Sequence, residues 1–309
     1  MSVELGSTSS FPLATHHSPF IIPQPYPMIE SSPCFLTPRL LQPNYPLFIF
    51  LPGMDGTGQL LRTQTDGLEA YFDVRCLAIP PTDLTTWESL SDQVIALVQK
   101  ELKKSPDRLV YLCGESFGGC LAMKVVLRSP GLFQRVILIN PASSFKHRPW
   151  MKLGAQIAGI LPEPIYRMST VGFLPLLSRL ERISRDDRRA LLQAMKSVPK
   201  STSAWRISLL SQFEVSAAEL QKLTQPFLLL GSVRDSLLPS LTELEWLMEN
   251  LQSSRLVVLP FSGHTCLLEA DMNLLDIMKE HNFLAIETRC ATFPSSLTLN
   301  PSPRAGEGL

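Results

Sequence analysis

The sequence lacks several features that would assign the protein to a class at once. It has no run of about eighteen uninterrupted apolar residues, so we expect no membrane-spanning helix. Its 28 lysines and arginines balance 28 aspartates and glutamates, which removes any general argument for nucleic acid as a partner. None of its six cysteines forms a CxxC pair or a metal-ligand spacing, so we expect no metal site and a reducing compartment.

What remains is a composition typical of a globular protein. Apolar residues make up 45% of the chain and charged residues 18%, which is far too apolar for a disordered protein and enough for a large core. A length of 309 residues corresponds to about two average domains, although α/β folds often use this length in one domain.

Both ends of the chain differ from the middle. Residues 1–46 contain nine of the 26 prolines and many serines, which predicts an irregular, disordered leader. The segment 291–309 has a similar composition and is predicted to be a disordered tail, leaving 47–290 as the folded domain. The leader lacks the compact apolar stretch of an export signal, and it has no arginine before Arg39, which argues against a transit peptide. We therefore expect a cytoplasmic protein.

The middle of the chain alternates short apolar runs with helical patterns. Between the second and third runs, Thr85 and Glu88 predict a capping box, and apolar residues then recur at helical spacing. Continuously apolar runs are typical of strands buried on both faces, so we expect a mostly parallel sheet covered by helices. The predicted strands are 47–51, 72–79, 109–113, 135–139, 227–231 and 255–260.

The alternation stops between about residues 143 and 222. This stretch contains helical patterns and prolines but no convincing strand, and it lies between two strands of the predicted sheet. We therefore expect an inserted helical lid. Over 145–220 the net formal charge is +6, and apolar runs such as LGAQIAGILP and VGFLPLLSRL accompany this basic charge.

The predicted strand 109–113 leads directly into Gly-Glu-Ser-Phe-Gly and then into a helical pattern. This G-x-S-x-G sequence in a strand–turn–helix context predicts a nucleophile elbow with Ser116 at its apex. The sharp turn crowds the residues two positions away on either side, so Gly114 and Gly118 must lack side chains. The helix N-terminus behind the serine favours negative charge that develops there.

A serine nucleophile needs a base and an orienting carboxylate. His264 follows the last predicted strand, where the chain order Ser…acid…His places the base. Asp235 follows the preceding strand, and the strand before that one ends in INPASSF, which offers no acid. The other interpretations are a capping or core histidine and a turn aspartate that caps the next helix.

The transition state also needs donors for an oxyanion. The N–H of Phe117, directly after the serine, is expected to supply one. The second is expected from the loop PGMDGTG after the first strand, and we assign it to the N–H of Met54. The alternative is a phosphate-binding loop, but the sequence lacks the lysine of a P-loop and the G-x-G-x-x-G order of a dinucleotide site.

These motifs are similar to those of the α/β-hydrolase superfamily. The segments PGMDGTG, CGESFGGCLAM, GSVRDSLLPS and SGHTCLLEA resemble the hydrolase portion of the phytyl ester synthase family of plastids and its cyanobacterial relatives. The resemblance covers about residues 47–281 and implies an α/β-hydrolase fold without a cofactor. It also implies fatty-acyl hydrolysis or transfer on phytyl esters, galactolipids or acylglycerols.

Plant members of that family carry a second, acyltransferase domain with an H-x-x-x-x-D motif, which this sequence lacks. We therefore expect any acyl transfer to pass through an acyl-Ser116 intermediate. The alternatives are a thioesterase, a cofactor-free lyase or peroxidase-like member of the fold, and a non-catalytic receptor for a hydrophobic ligand. The basic and apolar lid further predicts peripheral membrane contact. The alternative is that its leucines pack over the active site and its arginines are only solvated. The sequence leaves the oligomeric state open.

Overall fold

The computed structural model describes residues 32–147 and 171–285. Their strands form one seven-stranded sheet in the order β1-β3-β2-β4-β5-β6-β7. All neighbouring strands are parallel except β1, which is antiparallel to β3. This sheet confirms the predicted fold class. The strands are β1 (Cys34–Leu36), β2 (Leu47–Leu51), β3 (Asp73–Ala78), β4 (Val110–Glu115), β5 (Arg135–Ile139), β6 (Phe227–Ser232) and β7 (Ser254–Leu259).

Helices connect the strands. None of the helices in the described part of the chain is long and apolar enough to cross a membrane. Helical backbone also occurs at 171–177, and short 3₁₀ turns occur at Pro130–Leu132, Ala142–His147, Leu180–Arg182 and Cys266–Leu268. The α-helices are α1 (Thr65–Leu68), α2 (Trp87–Leu102), α3 (Phe117–Arg128), α4 (Arg185–Ser197), α5 (Lys200–Ser211), α6 (Ala217–Leu220), α7 (Ser240–Asn250) and α8 (Leu274–Glu280).

The central strands are buried on both faces, as their continuous apolar runs predict. In β2, Leu47, Ile49 and Leu51 belong to one hydrophobic cluster, whereas Phe48 and Phe50 belong to a second cluster on the other face. All five residues are fully buried. This double burial holds the carboxyl ends of β2, β4, β6 and β7 in fixed relative positions, and the loops that carry the candidate site leave the sheet there.

The predicted leader, residues 1–46, is too long at its C-terminal end. Residues 34–36, inside the predicted leader 1–46, form β1 and pair with β3. Downstream of β1, Arg39 Nε donates to Thr65 Oγ1 across 3.2 Å, and Gln42 Nε2 donates to the main-chain oxygen of Glu69 across 2.6 Å. A three-residue strand among prolines has no periodic pattern, which explains why the composition hid it. Residues 1–31 and the predicted tail 291–309 lie outside the described residues.

Helix α2 begins one residue later than the capping box predicts. Its N-cap is Thr86, whose side chain accepts a hydrogen bond from Ser89 N. Thr85 instead donates its N–H and its hydroxyl to Asp83 Oδ1. The prediction of Thr85 as the cap was therefore wrong, because an aspartate two residues earlier forms a competing local turn.

The predicted insertion lies between β5 and β6. Among residues 140–147 and 171–226, the described backbone is helical or irregular and contains no strand, apart from an isolated bridge between Ile183 and Glu269. Residues 148–170, which include the apolar run LGAQIAGILP, lie outside the described part. The function of the insertion as a lid stays a prediction.

Candidate active site

Ser116 lies in the turn between β4 and α3. Its backbone has φ 56°, a conformation that a non-glycine residue adopts only when the surrounding structure imposes it. Ser116 N donates to the Ile139 oxygen of β5 across 3.0 Å, and the Ser116 oxygen accepts from Ala142 N across 3.1 Å. These bonds to the neighbouring strand and its following loop hold the strained turn in place.

The two elbow glycines are sterically required. A Cβ on Gly114 would lie 2.2 Å from the Gly118 oxygen. A Cβ on Gly118 would lie 2.0 Å from the Leu51 oxygen and 2.5 Å from the Pro52 oxygen. Both contacts are with main-chain atoms that cannot move aside, so the turn has the crowding that the G-x-S-x-G pattern predicts.

His264 lies in the loop after β7 and contacts both other members of the predicted triad. Its Nε2 is 2.8 Å from Ser116 Oγ, and its Nδ1 is 2.7 Å from Asp235 Oδ2. The histidine itself is only 1% exposed. The fold thus brings together three residues that are separated by 29 and 148 positions in the sequence.

Asp235 is held by several donors in the loop after β6. Its Oδ1 accepts from Leu237 N and Leu238 N, each at 2.9 Å, and its Oδ2 accepts from Ser240 Oγ as well as from His264. Burial alone would raise the pKa of Asp235, but the charge of His264 and these hydrogen bonds lower it below the ordinary value. These hydrogen bonds stabilise the turn before α7, but the N-cap of that helix is Pro239 and no side chain caps it, so the alternative in which Asp235 caps the next helix was wrong.

The carboxylate has the opposite effect on the histidine. Burial alone would lower the pKa of His264, but the charge of Asp235 and the hydrogen bond that His264 Nδ1 donates to it raise the pKa above the ordinary value. Because the carboxylate lies at Nδ1, it favours the tautomer in which Nδ1 carries the proton and Nε2 accepts from Ser116. This tautomer can remove a proton from a hydroxyl.

The loop proposed to bind the oxyanion lies beside the serine. A Cβ on Gly53 would lie 3.9 Å from Ser116 Cβ, so the main chain of this loop closely approaches Ser116. Phe117 is the first residue of α3, and its buried ring stacks on Trp87 with ring centroids 4.6 Å apart. The donor roles of the Met54 and Phe117 N–H groups stay predictions.

Asn140 is a site residue that the sequence analysis missed. It follows β5 at φ 42° and is fully buried. Its Nδ2 donates to Ser232 Oγ across 2.9 Å and to the His264 oxygen across 2.8 Å, and its Oδ1 accepts from Ser232 N across 2.9 Å. A single amide therefore connects the ends of β5 and β6 with the histidine loop. The only signal in the sequence was an asparagine directly after a strand.

Glu115 is a second missed residue. It precedes Ser116, is 4% exposed, and its Oε1 has no hydrogen-bond partner among the described residues. Burial raises the pKa of Glu115 to about 8, with the charge of His264 lowering it and that of Asp55 raising it. This raised pKa favours the protonated, neutral form of the carboxyl group at pH 7, next to Ser116 in the chain.

The insertion packs directly on the histidine loop. Thr265 N donates to the Leu177 oxygen across 2.9 Å, next to His264 in the chain. Buried Glu269 accepts from Gly263 N across 2.8 Å and from Arg182 Nε across 2.8 Å. The residues before and after His264 are thus held by the insertion, Thr265 directly and Gly263 through Glu269.

Comparison with known proteins agrees with this architecture. A family model described as Hydrolase_4, serine aminopeptidase S33, matches residues 81–271. Phytyl ester synthase 1, chloroplastic, of Arabidopsis thaliana is 32% identical over 257 residues, which is 76% of this chain and 36% of that protein. A pimeloyl-[acyl-carrier protein] methyl ester esterase of Nitrosomonas europaea is 27% identical over 161 residues, covering 50% of this chain and 63% of the esterase.

The chain spans about a third of the length of the curated phytyl ester synthases it matches. Among solved structures, a hydrolase from Oleispira antarctica superposes with a TM-score of 0.64 at 14% identity, covering 78% of this chain and 92% of that chain. At this identity the superposition shows the shared fold alone.

Proposed function

Because the chain belongs to the serine aminopeptidase S33 (Hydrolase_4) family of α/β-hydrolases, we propose that it is a serine hydrolase that cleaves or transfers the acyl group of a hydrophobic ester. The observation that carries the proposal is the partly buried hydrogen-bonded series from Ser116 Oγ through His264 to Asp235, with distances of 2.8 and 2.7 Å. A residue set that only supported packing would not need a hydroxyl, a base and a carboxylate in this order.

In the proposed reaction, His264 Nε2 takes the proton of Ser116 as Oγ attacks the ester carbonyl. Asp235 stabilises the imidazolium and keeps its orientation. The N–H groups of Phe117 and Met54 are proposed to bind the oxyanion. His264 then returns the proton to the leaving alkoxide, which departs as an alcohol. Water or a second alcohol attacks the acyl-Ser116 in the reverse sequence of proton transfers and releases the acid or a new ester.

The substrate class is proposed from the relatives. One relative is named a phytyl ester synthase and another a methyl ester esterase of an acyl-carrier-protein conjugate, and both names refer to esters of carboxylic acids. A phytyl ester is therefore a proposed substrate, and the galactolipid or acylglycerol that the motif resemblance implies is the alternative. The first name also favours acyl transfer to an alcohol as a second candidate reaction, through the same acyl-Ser116.

A set of matched esters tests the proposal. p-Nitrophenyl esters and acyl thioesters of increasing chain length should be turned over, with the preference between them distinguishing an esterase from a thioesterase. Adding phytol at constant substrate should yield phytyl ester at the expense of free acid if transfer occurs. A fluorophosphonate probe should label the wild type at Ser116, whereas the failure of both labelling and ester turnover would favour a non-catalytic receptor.

A further inference from the structure

Arg206, on helix α5 of the insertion, is buried although it carries a charge. It is 2% exposed and is the largest of the fully buried side chains in the described part of the chain. A buried guanidinium is costly unless it is hydrogen-bonded and lies near opposite charge. The position of its partners therefore shows what the side chain is held against.

One of those partners, Met54, belongs to the loop proposed to bind the oxyanion, and the other, Pro80, follows β3. Arg206 Nη1 donates to the Met54 oxygen across 2.7 Å, and Nη2 donates to the Pro80 oxygen across 3.3 Å. Burial lowers the pKa of the Arg206 guanidinium, and the negative charges of Asp55 and Asp83 partly oppose this effect.

The guanidinium also covers Gly56. A Cβ at this position would lie 2.7 Å from Arg206 Nη1, and the backbone has φ +70°, a conformation that favours glycine. The side chain therefore lies against the main chain of the loop, with no intervening side chain at this residue.

The loop is a tight turn whose successive peptide groups are fixed from different sides. Gly56 N donates to the Gly53 oxygen across 3.0 Å, and this oxygen belongs to the same peptide group as the Met54 N–H. In a trans peptide the N–H points opposite to the carbonyl, so the Met54 N–H points out of the turn. Arg206 fixes the next peptide group through the Met54 oxygen, which restrains the torsion angles on the other side of the Met54 Cα.

We propose that Arg206 is a positioning residue, supplied by the insertion, that holds the 53–56 turn in the conformation that presents the Met54 N–H to the oxyanion. The inference rests on the proposed function. It gives the insertion a role in the reaction, because Arg206 then supports the oxyanion site through the main chain of the turn rather than through contact with the substrate.

The test compares substitutions at two neighbouring residues of α5. Arg206→Met removes the guanidinium and keeps an apolar stem. The matched control is Trp205→Phe, which removes the hydrogen bond of 2.9 Å from Trp205 Nε1 to the Thr85 oxygen and therefore a different contact between α5 and the body of the domain. Both variants are assayed for kcat and KM with a p-nitrophenyl ester and for thermal unfolding. They are also assayed for inhibition by an alkyl trifluoromethyl ketone, whose adduct with Ser116 mimics the oxyanion.

We expect Arg206→Met to lower kcat by at least about tenfold while KM changes by less than about threefold, since a small misplacement of a catalytic group is costly. Affinity for the trifluoromethyl ketone should fall in parallel with kcat. Trp205→Phe should change neither value by more than about twofold. Arg206→Lys, which keeps a donor for the Met54 oxygen and also serves if the Met variant does not fold, should give an intermediate kcat.

Two results would overturn the inference. One is equal loss of kcat in Arg206→Met and Trp205→Phe with matching loss of thermal stability, which would mean that both residues only attach α5. The other is a folded Arg206→Met variant with unchanged kcat and unchanged ketone affinity or, if that variant does not fold, an Arg206→Lys variant whose kcat falls while its ketone affinity stays unchanged. Failure of the proposed function is distinguishable, because the Ser116→Ala variant would then keep the wild-type rate whatever Arg206 does.

Discussion

Asn140 Nδ2 donates a hydrogen bond of 2.8 Å to the main-chain oxygen of His264, and so joins the end of β5 to the loop that carries the proposed base. The same side chain bonds both the N–H and the hydroxyl of Ser232 at the end of β6. One buried amide therefore sets the distance between the two loops that carry Asp235 and His264.

Replacing Asn140 should affect stability and turnover together. Asn140→Ala leaves the buried Ser232 N–H and His264 oxygen without their partner, at a cost of about 1–3 kcal/mol for each group. It also places alanine at φ 42°, which asparagine tolerates better. We expect a lower melting temperature and a kcat at least about tenfold lower. Thermal unfolding and ester kinetics measure both effects.

Asn140→Gly is the control for this prediction, because glycine adopts the positive φ without strain but supplies no amide. It should recover only the backbone part of the lost stability. If the glycine variant has the melting temperature and the kcat of the wild type, the bridging role of Asn140 is wrong.

Asp235→Asn should preserve the shape of the site and remove its charge. The amide favours the wrong imidazole tautomer, and by analogy with serine proteases kcat should fall on the order of 10⁴-fold. Because the carboxylate raises the pKa of His264, its loss should move the acid limb of the kcat/KM profile to lower pH. Full pH profiles of both proteins check the direction. A harmless Asp235→Asn together with an inactive Asp55→Asn or Glu269→Gln would assign the acid elsewhere.

Glu115 should make the folded state less stable as pH rises. Its pKa of about 8 in the folded state exceeds the ordinary 4.5, so the folded state retains a proton that the unfolded state releases between these pH values. The contribution to the free energy of unfolding is therefore largest at low pH and decreases by up to about 4 kcal/mol towards pH 8.

Glu115→Gln removes this titration and serves as its own test. The raised pKa of His264 also lowers the free energy of unfolding as pH rises. The contribution of Glu115 is therefore the difference in pH dependence between the wild type and the variant. We expect denaturant unfolding at pH 5, 6, 7 and 8 to show a shallower decline for the variant. Parallel declines would mean that Glu115 is not held in its protonated form.

The predicted membrane contact through the insertion can be tested on described residues. Val171 and Phe173 are 45% and 41% exposed, which leaves apolar side chains available to a bilayer surface. Several arginines of the insertion are paired with carboxylates, among them Arg179 with Glu181 and Arg189 with Asp186. We therefore expect the apolar residues to contribute at least as much to binding as the basic charge does.

Co-sedimentation with anionic vesicles should show binding that weakens at high salt and in a Val171→Ser, Phe173→Ser double variant. Leu40→Ser, at an exposed leucine outside the insertion, is the matched control and should bind like the wild type. Equal binding of all proteins to neutral vesicles, or no binding at all, would contradict the prediction.

The parts of the fold that follow a repeated or periodic pattern could be predicted from the sequence. Continuous apolar runs located six of the seven strands, and the glycines of the elbow located Ser116, because steric crowding permits no other residues there. The three-residue β1 has no such pattern. Its antiparallel pairing with β3 depends on a contact between residues about 40 positions apart, such as Cys34 with Ala78.

The supporting residues of the site could not be predicted for a similar reason. Asn140, Glu115 and Arg206 act through tertiary contacts or through burial, and neither is encoded in local spacing. Arg206 lies in a helix with other polar residues, where a buried arginine and a solvated one have the same sequence pattern. Only the folded chain shows that this guanidinium faces the 53–56 turn.

The central claim is that Ser116 carries the acyl group, and intact and peptide mass spectrometry after rapid mixing with a p-nitrophenyl ester tests it most directly. The wild type should release a burst of p-nitrophenol and gain the mass of one acyl group on the peptide that contains Ser116. Ser116→Ala should fold normally, gain no acyl group and lose several orders of magnitude in turnover, with a small residual rate. An unchanged rate in Ser116→Ala, or an acyl group on another residue, would contradict the account.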